Sequence, residues 1–135
     1  MIEDLTIMIA EDDADDLQFI SAALRRNHFS GSVRSVSDGN RLLQMLKDKR
    51  AQTLPDLILL DLNMPFKNGF EALKEMQQDT ALKAIPTIVL TSSSSKEDEK
   101  KCYELGATKF YHKPHSLVEY DNVAGSIVNF IQSAI

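Results

Sequence analysis

Cysteine is almost absent from the 135-residue chain, which carries Cys102 alone. A lone cysteine cannot close an intramolecular disulfide and excludes a cysteine-rich zinc site, so a reducing compartment is the expected setting. An excess of basic charge is lacking as well: 20 acidic residues against 15 basic ones give a formal net charge of −5. That sign excludes a chain whose whole surface grips nucleic acid or anionic lipid, and neither is an expected partner. No apolar run approaches the ~18 residues a membrane span needs. The opening Met1-Ile2-Glu3-Asp4 is acidic, unlike a secretory signal. Internal repeats and linkers are also lacking. What is present is 43% hydrophobic residues, enough for one core, in a chain the length of one ordinary domain. The expectation is a small, acidic, soluble, cytoplasmic domain.

Two periodicities alternate along it. Short apolar runs at 5–10, 57–60 and 86–90, a weaker one at 32–36 and a last one at 108–112 read as strands. Between and after them, residues 14–27, the segment capped by Asp38, and residues 70–78, 96–105 and 116–135 carry apolar positions at helical spacing. Strand runs that are apolar without alternation suit a parallel sheet covered on both faces. The expected fold is α/β: a (βα)₅ doubly wound, five-stranded parallel sheet in the flavodoxin-like order 2-1-3-4-5.

In such sheets ligands bind where the strands end. Glu11, Asp12 and Asp13 follow the first strand, Asp61 and Asn63 the third, Thr91 to Ser93 the fourth, and Lys113 with Pro114 the fifth. Crowded carboxylates repel unless a cation sits between them. Oxygen-only ligands suit Mg²⁺, whereas zinc would want cysteine or clustered histidine. A lysine opposite the acids suits a phosphate oxygen, and an aspartate there can act as a nucleophile and become an aspartyl phosphate. Each piece has a plainer reading. Asp13, Asp15 and Asp16 read best as first-turn acids favoured by the helix dipole. The serines could be a loop and a cap, and Lys113 a surface lysine. Asp61 is harder to dismiss, because an acid directly after 57–60 enters a costly environment unless a site pairs it.

The segments Ile9-Ala10-Glu11-Asp12-Asp13, Leu60-Asp61-Leu62-Asn63-Met64-Pro65 with Gly69, Val89-Leu90-Thr91-Ser92 and Lys113-Pro114 together resemble the CheY-like receiver domain of two-component response regulators. The resemblance covers essentially the whole chain. It implies that Asp61 is the phosphoacceptor, taking a phosphoryl group from a phosphohistidine of a sensor histidine kinase. It implies Mg²⁺ held by Glu11, Asp12, Asp61 and the backbone carbonyl of Asn63. Thr91 would be the switch hydroxyl, Lys113 the contact to a phosphoryl oxygen, and Phe110 the switch aromatic, although a core phenylalanine explains Phe110 equally well. Asn63 and Ser93 would tune the lifetime of the phosphoryl group. Lys113-Pro114 would be a cis peptide. Glu for Asp at position 11 is a frequent variant. The interval from Asp12 to Asp61 is somewhat long, and residues 47–53 are the expected place of the insertion. The acid-rich first helix and long second loop are similar to small regulators paired with bacterial phytochromes, which makes a phytochrome the expected kind of kinase.

With 116–135 needed as the fifth helix, residues 1–135 are expected to form a single receiver domain with no output domain, a switch rather than an enzyme, whose output is binding to another protein. The expected signalling face comprises residues 96–105, 108–112 and the last helix. Val118 and Val128 are surplus to one sheet-facing stripe, so a homodimer through that face is a further expectation. An aspartate-nucleophile phosphatase is disfavoured because Asn63 stands where a general acid is needed. A nucleotide-binding flavodoxin-like protein is disfavoured because no glycine-rich loop follows the first strand. The remaining alternative is a degenerate receiver that binds partners without phosphorylation.

Overall fold

The computed structural model describes residues 2–48 and 54–134. After a 3₁₀ turn at Ile2–Asp4 come β1 (Thr6–Ala10), α1 (Ala14–Arg26), β2 (Ser32–Val36), α2 (Gly39–Lys47), β3 (Leu57–Leu60), α3 (Gly69–Met76), a short α4 (Thr80–Lys83), β4 (Thr87–Thr91), α5 (Lys96–Glu104), β5 (Lys109–His112) and α6 (Leu117–Ser133). The strands form one parallel sheet in the order β2-β1-β3-β4-β5, as the apolar runs imply. The switch in strand order lies between β1 and β3, which aligns Ala10 with Leu60 at the strand ends.

Both faces of the central strands are buried, because alternate side chains feed two cores. Met8, Ala10, Ile58, Leu60 and Val89 face Leu42, Leu46, Leu73 and Met76 of α2 and α3, and Cys102 of α5. Ile7, Ile9, Leu57, Leu59, Ile88 and Leu90 face Ile20 and Leu24 of α1, and Ala124, Ile127 and Ile131 of α6. Each such aliphatic side chain contributes about 1.5–3 kcal/mol on removal from water. The helices start at polar caps: Asp13, Asp38, Asn68, Asp79, Ser95 and Ser116 each accept a backbone N–H of the first turn.

Three expectations change. The periodicity carries no sign of α4, whose four residues are too few for an apolar stripe; Asp79 accepts from the N–H groups of Ala81 and Leu82, and Leu82 is buried. The helix expected as the fourth is therefore α5, and the last is α6. Val128 is not surplus: it is 4% exposed, whereas Val118 is 70% exposed. The reason is that α6 packs on α1 as well as on the sheet. Asn27 Nδ2 donates to the Asp121 carbonyl at 3.0 Å and Arg26 pairs with Asp121 at 2.7 Å, so the buried stripe is wider than the sheet alone requires. Finally, no peptide bond among the described residues is cis, so Lys113-Pro114 is trans. Trans is the intrinsically preferred form, by about 0.5–1 kcal/mol before proline. The supposed insertion falls largely on residues 49–53, outside the described residues.

Candidate functional site

Backbone hydrogen bonds that prolong the sheet set the strand-end residues in place. Glu11 N–H donates to the Val36 carbonyl at 3.0 Å, Asp61 N–H to that of Ala10 at 3.0 Å, and Lys113 N–H to that of Thr91 at 2.7 Å. Residues far apart in the chain are thereby brought to one rim without relying on their side chains.

Lys113 is the hub of that rim. Its Nζ lies 2.8 Å from Glu11 Oε1, 2.8 Å from Asp16 Oδ2 and 3.1 Å from Asp61 Oδ2. Glu11 and Asp61 are 6% and 4% exposed, and Thr91 is fully buried. Asp12 is exposed at the mouth. Burial pushes the Glu11 carboxyl up to about 7; hydrogen bonds from Lys113 and the Asp13 N–H oppose this, and the Asp61 charge adds to it. Burial alone would lower the Lys113 ammonium, but hydrogen bonds to Asp16 and Glu11 and the charge of Asp61 hold it above the ordinary lysine range. On the far side of Asp16, burial pushes the Tyr120 phenol up to about 12, with the Asp16 charge adding.

Carboxylate oxygens of Glu11, Asp12 and Asp61 all lie within 4.8 Å of one another. Three acids at that spacing, without sulfur or imidazole, suit a hard divalent cation. The loop from Asp61 to Gly69 closes the site on one side. Asn63 N–H donates to Asp61 Oδ1 at 3.3 Å, and Gly69 N–H donates to the Leu62 carbonyl at 3.0 Å. Gly69 is required here, since a Cβ would stand 2.5 Å from the Asp61 carbonyl oxygen. Thr91 Oγ1 accepts from Ser93 N–H at 3.3 Å, while Ser93 Oγ donates to Asp98 Oδ2 at 2.6 Å. Ser93 is thus tied to the first turn of α5. Phe110 is partly buried against the core that includes Cys102 of α5.

The expected residues Glu11, Asp12, Asp61, Asn63, Thr91 and Lys113 gather at this rim. Asp16 joins them, contrary to its reading as a first-turn acid. That reading holds for its backbone, since Asp16 N–H donates to the cap Asp13 at 2.9 Å, but its carboxylate reaches Lys113 across the fold. No local pattern marks this, because the partner is 97 residues away. Beside Asp16 a groove of about 410 Å³ opens, lined by Phe19, Pro114, His115, Leu117 and Tyr120.

A flavodoxin-like sheet whose strand ends collect carboxylates, a buried hydroxyl and a lysine suits a hard cation and an anionic group. Comparison with known proteins makes the class specific: residues 7–123 match the response regulator receiver domain. The chain is similar to response regulator Rcp1 of Synechocystis sp., at 31% identity over 127 residues, covering 92% of this chain and 86% of that protein. Among solved structures it is similar to the phosphorylated cyanobacterial phytochrome response regulator RcpA, with a TM-score of 0.89, 32% identity and coverage of 97% and 96% of the two chains. It is also similar to the Mn²⁺-bound form of Rcp1, with a TM-score of 0.83, 30% identity and coverage of 93% of each chain. The chain belongs to the response regulator receiver family of two-component signalling, in which an aspartate is phosphorylated.

Proposed function

We propose that Asp61 is the phosphoacceptor of this receiver and that its phosphorylation, by a sensor histidine kinase, changes which proteins the domain binds. One observation carries the reading: a buried aspartate faces a lysine at 3.1 Å and shares its rim with two further acids whose oxygens lie within 4.8 Å. Phosphoryl transfer needs mainly positioning and charge neutralisation, and these residues offer both.

An Asp61 carboxylate oxygen attacks phosphorus, the P–N bond to the donor imidazole breaks, and the bond electrons leave with the imidazole nitrogen. Lys113 balances negative charge on a phosphoryl oxygen. Thr91, whose hydroxyl already meets the Ser93 N–H, turns its Oγ1 toward the phosphoryl group, and Phe110 follows into the space this opens on the same face of the sheet. Glu11, Asp12, Asp61 and the Asn63 carbonyl would hold Mg²⁺. When bound, that ion neutralises the acids and the oxygens of the transferred group. Asn63 and Ser93 border the path of a hydrolytic water and set how long the phosphoryl group lasts.

The phytochrome named for RcpA supports a phytochrome as the kinase. The output face comprises α5, β5 and the start of α6, where Tyr103, Leu117 and Val118 are exposed. A second copy of the chain is its simplest occupant, and light scattering that gives a monomer with and without a phosphoryl analogue excludes it.

Incubation with acetyl phosphate and Mg²⁺, followed by intact mass, tests the chemistry. The expected product carries one phosphoryl group, is cleaved by hydroxylamine, and is absent from Asp61→Asn and from samples in EDTA. A hydroxylamine-stable phosphate overturns the reading.

A further inference from the structure

Lys113 Nζ lies within 3.1 Å of three carboxylates, donating to Asp16 and Asp61 and pairing with Glu11. Two of these, Glu11 and Asp61, belong to the cation-binding trio, and the third does not. Asp16 comes from α1, lies as close to Nζ as Glu11 does, and lies closer than Asp61. Burial does not force this pairing. The Asp16 side chain is 30% exposed, and its neighbour Asp15 stays in solvent. The Asp13 cap fixes the Asp16 backbone, and the carboxylate is held by Lys113.

The anchor answers a conflict within the rim. A divalent cation needs oxygens of Glu11, Asp12 and Asp61, and an ammonium resting on two of those acids competes with it. An acid outside the trio gives the ammonium a further partner. We infer that Asp16 is a positioning residue for Lys113: it takes a share of the ammonium that Glu11 and Asp61 would otherwise hold alone, so that Lys113 keeps a partner when a cation claims those acids and stays aimed at the group that Asp61 receives. This rests on the reading of Asp61 as the phosphoacceptor.

Asp16→Asn preserves shape and the cap but removes the anchoring charge, so the ammonium is left to Glu11 and Asp61 alone and competes harder with the cation. With acetyl phosphate as donor, the Mg²⁺ concentration for half-maximal phosphorylation rises severalfold. At saturating Mg²⁺ the rate falls roughly tenfold or more, as expected for a misplaced charged group. Asp16→Glu, which keeps the charge, restores most of both. In a Lys113→Met background Asp16→Asn changes either quantity by no more than about twofold, because the residue acts through the lysine.

A second readout needs neither metal nor turnover. In EDTA, the ¹⁵N-resolved ammonium signal of Lys113 is protected from solvent exchange in the wild type and loses that protection in Asp16→Asn. A role confined to starting α1 leaves this signal unchanged. If the wild type takes up no phosphoryl group, the reading of Asp61 fails and the inference falls with it. If the wild type is phosphorylated but Asp16→Asn matches it, or the effect persists without Lys113, Asp16 is an ordinary first-turn acid and the reading of Asp61 stands.

Discussion

Gly39 N–H donates to the carbonyl of Lys67 at 3.0 Å, and the first residue of α2 thereby holds the loop that follows Asp61. A Cβ on Gly39 would overlap that carbonyl oxygen and stand 2.9 Å from the carbonyl carbon. Gly39→Ala must therefore push the loop away, and with it Asn63. The expected loss is about 1–3 kcal/mol in urea denaturation, typical of overpacking, together with slower phosphorylation by acetyl phosphate. An unchanged denaturation midpoint would mean that the loop yields freely.

Glu11 makes stability in EDTA depend on pH. Its carboxyl stands at about 7 in the folded chain against an ordinary 4.5, chiefly through burial. Below the ordinary value both folded and unfolded chains are protonated there, and the group has no effect. Between the two values the folded chain holds the extra proton, so this group's contribution to stability falls as pH rises, and above about 7 the penalty is complete. Thermal denaturation in EDTA across this range should show the decline, Mg²⁺ should offset it, and Glu11→Gln should flatten it. A decline that survives Glu11→Gln assigns it to another group.

Phe66 is 85% exposed and has φ +65°. A bulky side chain in the left-handed region costs on the order of 1 kcal/mol, and exposure returns little of it. Phe66→Asn should raise stability by about that amount, because asparagine tolerates this conformation. Equilibrium urea unfolding decides, and a lower midpoint would show that the ring packs against its own loop.

Cys102 is fully buried, and its thiol is pushed up to about 11 by burial, with the charges of Asp98 and Glu99 adding. Thiolate is the reacting species. Iodoacetamide at mildly alkaline pH should leave the folded chain unmodified over a time in which the urea-unfolded chain is fully alkylated. Intact mass distinguishes the two, and equal labelling would place the thiol at the surface.

The sheet was legible because the strand at 57–60 is apolar at every position and 86–90 breaks its apolar run only at Thr87, a pattern that suits a doubly covered parallel sheet. Asp61 was legible for a related reason: a charge directly after a buried strand needs a partner. The short α4 was not, since four residues carry no period. Val128 was misread because one stripe was counted for α6, while α1 covers a second part of its surface.

Asp16 shows where sequence reading stops. Its place in the first turn of α1, after the capping Asp13, accounts for it completely at the local level. Its carboxylate acquires another task only because the Lys113 side chain, just after β5, reaches it across the strand ends, an arrangement set by the packing of the whole sheet. The sequence by itself determined the order of the strands and the five longer helices and the residue types at each strand end, because these follow from burial periodicity and local hydrogen bonding. Only the tertiary structure decided which acids share the Lys113 ammonium, how deeply Glu11 and Asp61 are withdrawn from water, and how Gly39 holds the site loop. Those relationships join residues distant in the chain, and their strength depends on ångström distances and burial that no local pattern encodes.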